Sequence, residues 1–149
     1  MNFKEIEEFF TSASRYCYLV ENLTSTNNED KLKQLLLSLS TLYTNVLYLP
    51  NIKPKSANAV EIDFTLPKLE LRKYDMYWNV YDPYEYEKPI NGSLKDDLLD
   101  IYNDIKTGAL LYYKHEQEEA VWHWKYSFEI HWGRHAINAL RALHAITFK

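Results

Sequence analysis

Residues 116–147 have the sequence EQEEAVWHWKYSFEIHWGRHAINALRALHAIT, and this stretch decides the fold. Its apolar side chains recur every three or four residues, which is the period of an α-helix, and it contains no proline. The main apolar face consists of Val121, Trp124, Phe128, Trp132, Ala139, Ala142, Leu143 and Ile146, and a second apolar face of Tyr126, Ile130, Ile137 and Phe148. Because a helix that is apolar on two sides is usually enclosed by its neighbours, we predict one long C-terminal helix at the centre of a helical bundle.

The same period appears in three further stretches of the chain. One covers residues 3–20, and a second covers residues 28–50 and ends at a proline. A third follows Ser93, which is a favourable N-cap residue, with Asp96 in the capping-box position three residues later. Together with the C-terminal helix, these stretches predict an all-α fold.

The segment between the second and third helices has a weaker pattern. Residues 50–68 alternate between apolar and polar in one short part, but a single strand would have no pairing partner there. We therefore predict an extended loop over the core at residues 50–68, followed by a short helix at residues 68–79. The resulting expectation is a single domain, residues 1–149, with about five helices.

The composition argues against several classes of function. Seventeen basic and twenty-one acidic residues give a formal net charge of −4, whereas nucleic-acid-binding domains usually have a concentrated basic face. Three glycines leave little room for phosphate-binding loops. The only cysteine, Cys17, cannot form an internal disulfide, and no apolar run is long enough to cross a bilayer. We expect a bacterial-type cytoplasmic protein without a nucleic-acid or membrane partner.

Two groups of polar residues fall beside the predicted core. Helical-wheel arithmetic at about 100° per residue places His131 and His135 inside the main apolar face of the C-terminal helix. Asp97, Asp100 and Asp104 share one flank of the preceding helix, next to its apolar stripe. If the two helices pack antiparallel, the aspartates face the C-terminal helix at the centre of the fold.

Two registers of this helix pair are open. The first register forms the pairs Asp97–Asn138, Asp100–His135 and Asp104–His131. The second register, shifted by three residues, forms the pairs Asp97–Arg141 and Asp104–Arg134. Both are internally consistent, so the sequence leaves open whether the carboxylates meet histidines or arginines.

Three interpretations of this cluster follow. The first, which the absence of a diagnostic motif favours, is a buried polar network that fixes the helix register. The second is a site for zinc, manganese or iron with the ligands Asp100, Asp104, His131 and His135, although the Glu-x-x-His and His-Glu-x-x-His motifs of known metal helices are missing. The third is an anion pocket built on Arg134 and Arg141. Apart from this divalent metal, no cofactor is predicted.

An aromatic segment precedes the third helix. It includes Tyr77, Trp78 and Tyr81, which we take as candidate residues for binding a ligand or a partner. Acidic residues are interspersed among the rings, so the segment is a poor platform for stacking the bases of a nucleic acid. We predict that it covers the open end of the bundle.

Three strings in the C-terminal half resemble a known family. They are YWNVYDP at residues 77–83, SLKDDLLDIYND at residues 93–104, and HWGRH at residues 131–135, the last continued by ALRALH at residues 139–144. Together they resemble an uncharacterised bacterial family known as domain of unknown function 5063. The resemblance extends from about Tyr77 onward, and residues 1–66 contain no matching motif. It implies a small helical protein without an assigned activity, and it includes the same aspartate and histidine positions.

These observations lead to two functional hypotheses. The first is a non-catalytic binding, adaptor or regulatory protein of the immunity type, which meets a protein partner or a small ligand through its aromatic segment and acidic surface. The alternative is a metal-dependent hydrolase with an Asp/His site between the last two helices, in which a metal-bound water is the nucleophile.

Overall fold

The computed structural model describes residues 3–23, 29–54 and 61–148. The elements in chain order are α1 (Phe3–Glu21), α2 (Glu29–Leu47), β1 (Met76–Asn79), β2 (Ile90–Ser93), α3 (Leu94–Tyr113), α4 (Gln117–Ser127) and α5 (Gly133–Thr147). A π-helical turn, Phe128–Trp132, joins α4 to α5, so that the three segments form one long C-terminal helix. The predicted all-α class and the long C-terminal helix are therefore confirmed, and the sheet is limited to two short strands.

The long helix packs against every other described helix. Its α4 part contacts α3, its α5 part contacts α2 and α3, and α1 packs on α2 and α3. Trp124 and Trp132 are fully buried, and the ring of Phe9 on α1 lies 4.7 Å from the first and 6.4 Å from the second. These three rings fill the space between helices and place the long helix at the centre of the core.

One apolar face of this central helix is not covered by its neighbours. The residues of its second apolar face are between 46% and 65% exposed; they are Tyr126, Ile130, Ile137 and Phe148. The expectation that this face is enclosed is therefore wrong. The neighbours cover a single face, whose position on the helix changes at the π turn described below.

The predicted helix at residues 68–79 is also wrong. The chain there forms a short 3₁₀ turn, Arg72–Tyr74, and then β1, which pairs antiparallel with β2 and sets Tyr77 opposite Gly92. The Asp75 carboxylate accepts hydrogen bonds from Ser93 Oγ (2.7 Å) and from the Lys95 amide (2.9 Å). These bonds tie the start of the hairpin to the start of α3, and they are tertiary contacts that helical periodicity does not report.

The start of α3 follows the predicted cap. Ser93 Oγ accepts a hydrogen bond from the Asp96 amide at 3.1 Å, as an N-cap side chain does. Residues 61–71 have no regular secondary structure, and Ile62 and Phe64 pack against the core; residues 55–60 of the predicted loop lie outside the described residues. In the described ranges, no helix has the combination of length and apolar character needed to cross a membrane.

Candidate functional site

The candidate site lies between α3 and the C-terminal part of the long helix. Asp97, Asp100 and Asp104 are spaced three and four residues apart, so they point from one face of α3. His131 belongs to the π turn, and His135 lies in the first turn of α5. The five side chains named by sequence reasoning therefore come together.

Direct contacts join both histidines to the aspartates. His131 Nδ1 lies 2.6 Å from Asp104 Oδ2, and His135 Nδ1 lies 2.7 Å from Asp97 Oδ1. His135 Nε2 is 3.2 Å from Asp100 Oδ2. Two pairs of the first register, Asp104–His131 and Asp100–His135, are thus present, while Asp97 meets His135 instead of Asn138. The described contacts include neither arginine pair of the second register.

One side of the site is buried in the core, and the other side is exposed to solvent. The side chains of Asp97 and Asp104 are only 7% and 12% exposed, whereas those of Asp100 and His131 are 46% and 43% exposed. His135 lies between these groups, with 25% of its side chain exposed. The two buried carboxylates contact the imidazoles on the core side of the site, and the solvent side of the site is accessible to a ligand.

The buried carboxylates fix the orientation of both imidazoles. An ionised carboxylate only accepts hydrogen bonds, so Nδ1 of each histidine carries the proton and donates it. Nε2 is then the nitrogen that can coordinate a metal, and hydrogen bonding of this kind is the usual support of metal-binding histidines. The hydrogen bond to Asp97 raises the pKa of His135 above its ordinary value, while desolvation acts in the opposite direction.

Tyr77 completes the environment of Asp97. Its hydroxyl donates a hydrogen bond to Asp97 Oδ2, so both oxygens of this carboxylate have a donor. Burial, and then the hydrogen bond to Asp97, raises the pKa of the Tyr77 phenol well above its ordinary value. A Cβ atom on Gly92 would lie 2.4 Å from the Tyr77 ring. Gly92 therefore makes room for the ring to cross β2 and reach α3.

Asp100, His131 and His135 form a group with the geometry of a metal site. One ligand atom from each lies within 4.8 Å of the others. Ligands about 2 Å from a tetrahedral zinc ion are separated by roughly 3.3 Å, so small side-chain rotations would bring the three atoms to coordinating positions. Asp104 was expected as a fourth ligand, but its Oδ2 is engaged by His131 Nδ1.

Both histidines lie at the edge of the buried face, so their predicted position inside it is wrong. The Gly133 amide donates to the Phe128 carbonyl, five residues back, which adds one residue to the turn. One extra residue rotates the following helix face by about 100°. The buried positions accordingly change from Ala120, Val121 and Trp124 before the turn to Ala136, Ala139 and Leu143 after it. This rotation moves the histidines from the core to its solvent-facing margin.

The arginines and the remaining aromatic candidates lie beside this cluster. The Arg134 guanidinium is centred 4.3 Å from the ring centroid of Tyr81. Both residues line a groove of about 590 Å³, together with Arg141. Trp78, adjacent to Tyr77 on β1, is 69% exposed and is directed away from the site. The aromatic segment is therefore divided between the site, the groove and the open surface.

His123 lies near the site, although it is not on the predicted main apolar face. His123 is hydrogen-bonded to the backbone of Asp104, and desolvation by burial lowers its pKa. Its buried Nε2 has no hydrogen-bond partner in the part of the chain that the structure describes. His123 and His131 are eight residues apart, two steps of i, i+4 along the helix, and this spacing was the available indication that His123 lies near the site.

The fold and the site define a small helical-bundle protein with an Asp/His cluster between α3 and the end of its long C-terminal helix. The chain belongs to the family described as Domain of unknown function (DUF5063), whose model matches residues 1–149. This match confirms the resemblance in the C-terminal half and extends it over residues 1–66.

A solved structure has the same fold. The crystal structure of protein BF1032 from Bacteroides fragilis is similar to this chain with a TM-score of 0.76 and 22% sequence identity. The similarity covers 98% of this chain and 97% of that one. At this identity it supports the fold alone. No curated protein matches the chain.

Proposed function

We propose that the protein binds one divalent transition-metal ion, with Asp100, His131 and His135 as its ligands. One observation supports this most directly: each histidine donates from Nδ1 to a buried aspartate, Asp104 or Asp97. Carboxylates in this position hold metal-binding imidazoles in the right tautomer and increase their basicity. Asp100 and His131 are also 46% and 43% exposed, so an ion in solvent can reach this side of the cluster.

The donor set selects the class of metal. Two imidazole nitrogens and one carboxylate oxygen suit zinc, manganese or iron. Magnesium and calcium prefer sites made only of oxygen ligands. We therefore expect zinc to bind much more tightly than magnesium.

The accessibility of the site from solvent favours the hydrolase hypothesis. Structural zinc sites have four protein ligands, whereas catalytic sites have three and leave a position for water. A zinc ion lowers the pKa of its bound water to about 7, which supplies hydroxide at neutral pH. A metal-dependent hydrolase is therefore the function that this arrangement supports best, in the cytoplasmic setting expected from the single, buried Cys17.

A second candidate function is the binding of a protein partner, as in an adaptor or immunity-type regulatory protein. Trp78, Tyr84 and Tyr86 support it, since they are 69%, 94% and 106% exposed on or after β1. Aromatic side chains are frequent anchors in protein interfaces. This candidate uses a different surface and does not require the metal.

The test of the metal proposal is a zinc titration of chelator-treated protein by isothermal titration calorimetry. We expect one equivalent to bind to the wild type, and His135→Ala to bind at least about tenfold more weakly because one of three ligands is lost. His144→Ala is the matched control, since His144 is an exposed histidine on the same helix. It should bind zinc like the wild type.

Two results would contradict the proposal. One is a wild-type protein that takes up no zinc, manganese or iron, and the other is a His135→Ala protein that keeps the wild-type affinity. If the wild type binds no metal and His135→Ala also loses several degrees of thermal stability, the cluster is a buried polar network.

A further inference from the structure

The groove beside the metal site has the chemistry of an anion-binding pocket. It has a volume of about 590 Å³ and lies between the helix segment of residues 128–141, residues 79–83 at and after the end of β1, and Tyr43 on α2. Arg134 and Arg141 line it from α5, seven residues apart, with Asn138 between them. A separation of seven residues is about two helical turns, so both arginines extend from the same side of the helix, about 10 Å apart.

Both arginines are available to a ligand. They are exposed, and neither forms an ion pair within the described part of the chain. Arg134 stacks on Tyr81, and a stacked guanidinium keeps its edge N–H groups directed outward in the fork that matches phosphate oxygens. The stacking therefore positions the donor group without using its hydrogen bonds.

The rest of the lining limits the size of the ligand. Asp82 and Glu129 also line the groove, so its formal charges balance and it lacks the concentrated basic face that binds a long polyanion. Asp82 Oδ1 accepts a hydrogen bond from the Tyr84 amide at 3.0 Å, so the Asp82 carboxylate already has a partner within the turn that contains it. Phe128 and Ile137 supply an apolar wall. These features fit a small molecule with one anionic group and an apolar body.

None of the proposed metal ligands lines the groove, but two groove residues lie close to His135 in α5. Arg134 precedes His135 by one residue, and Asn138 follows it by three, a spacing that puts Cβ atoms about 5–6 Å apart on an α-helix. A phosphate monoester offers three terminal oxygens to the N–H groups of the two guanidinium groups, whereas a carboxylate offers two.

We infer that the groove of Arg134, Arg141 and Tyr81 binds a phosphate monoester with an apolar substituent. Binding of the phosphate monoester in the groove does not require the metal. Only the further step, that the groove presents the phosphate group to a metal ion, rests on the proposed function.

The test is a titration of chelator-treated protein with phenyl phosphate, inorganic phosphate and benzoate by isothermal titration calorimetry. We expect phenyl phosphate to bind more tightly than either of the others, because it alone has both the dianion and the apolar ring. The double variant Arg134→Gln/Arg141→Gln should weaken this binding at least about tenfold through loss of the charged hydrogen bonds. Arg15→Gln removes one charge from an exposed arginine on α1, away from the groove, and should alter the affinity less than about twofold.

The outcomes separate the groove from the metal site. Retained phenyl phosphate binding in His135→Ala, with loss of zinc binding, would support the groove as an independent site. A wild-type protein that binds zinc but not phenyl phosphate would overturn the groove and leave the metal proposal intact. Equal affinity in the double arginine variant and in Arg15→Gln would also overturn it, and benzoate binding as tightly as phenyl phosphate would overturn the assignment to phosphate.

Discussion

In the proposed metal site, Asp104 would act on the ion through His131, which would make it a positioning residue. Its carboxylate is buried and lies 2.6 Å from His131 Nδ1, on the far side of the ring from the nitrogen that would coordinate. A negative charge at that position makes the imidazole a stronger ligand. The same argument applies to Asp97, which is hydrogen-bonded to His135 Nδ1 and also accepts the hydrogen bond of the Tyr77 hydroxyl.

We predict that Asp104→Asn weakens zinc binding about tenfold without changing the stoichiometry, because the three ligands remain while one imidazole loses its charged partner. Competition with a chromophoric chelator measures the affinity. Asp96→Asn removes the same charge from an exposed residue of the first turn of α3 and serves as the control. Equal affinities of the two variants would show that the Asp104 carboxylate has no influence on the metal.

The π turn is the element that brings the two histidines to the surface. It is permitted by Gly133, whose missing side chain leaves room for the Phe128 carbonyl; a Cβ atom would lie 2.6 Å from that oxygen. Trp132 Nε1 donates to the Trp124 carbonyl at 2.9 Å and stabilises the same turn. π turns inside α-helices are frequent at functional sites, and this one directly changes which residues face α3.

We predict that Gly133→Ala destabilises the protein by about 1–3 kcal/mol, because the added methyl group must displace a backbone carbonyl. In an ordinary helix interior the same change would stabilise by about 1 kcal/mol, so the sign of the effect is diagnostic. Urea denaturation followed by tryptophan fluorescence gives the free energy of unfolding.

Ala145→Gly, at an exposed position of α5, is the control for helix propensity and should destabilise by no more than about 1 kcal/mol. A Gly133→Ala protein that is more stable than the wild type would show that the turn is an ordinary α-helix. We expect the zinc affinity of the Gly133→Ala variant to fall together with its stability, since His131 lies within the turn.

Sequence reasoning predicted the long elements and missed the short ones, for a physical reason. Helices of 15–20 residues such as α1, α3 and α5 repeat their apolar period several times, so the pattern is unambiguous. β1 and β2 have four residues each and exist because Asp75 and Gly92 meet partners that are distant in the sequence. The second apolar face is exposed on both sides of the π turn, because periodicity alone does not distinguish a buried apolar face from an exposed one.

At the scale of the whole molecule, the shortage of glycine has a structural meaning. All three glycines, Gly92, Gly108 and Gly133, lie where a Cβ atom would approach another atom closer than van der Waals contact allows. Two of them serve the site: Gly92 admits the Tyr77 ring, and Gly133 admits the π turn. The chain therefore uses glycine for close approach rather than for phosphate-binding loops.

The composition of the candidate site could be predicted, but its register could not. The pair Asp104–His131 belongs to the first register, which assumes a straight antiparallel helix pair. The π turn changes the rotation of α5, and the position of Tyr77 depends on the hairpin, so the contacts of Asp97 with His135 and Tyr77 follow only from the folded chain.

The most direct test of the account is a crystal structure of the zinc-loaded protein with an anomalous difference map at the zinc edge. We predict one peak between α3 and α5, about 2 Å from Nε2 of His131, Nε2 of His135 and the carboxylate of Asp100, with Asp97 and Asp104 outside the coordination sphere. A map with no peak at this position, or with the metal held by other residues, would contradict the assignment of this cluster as a metal site.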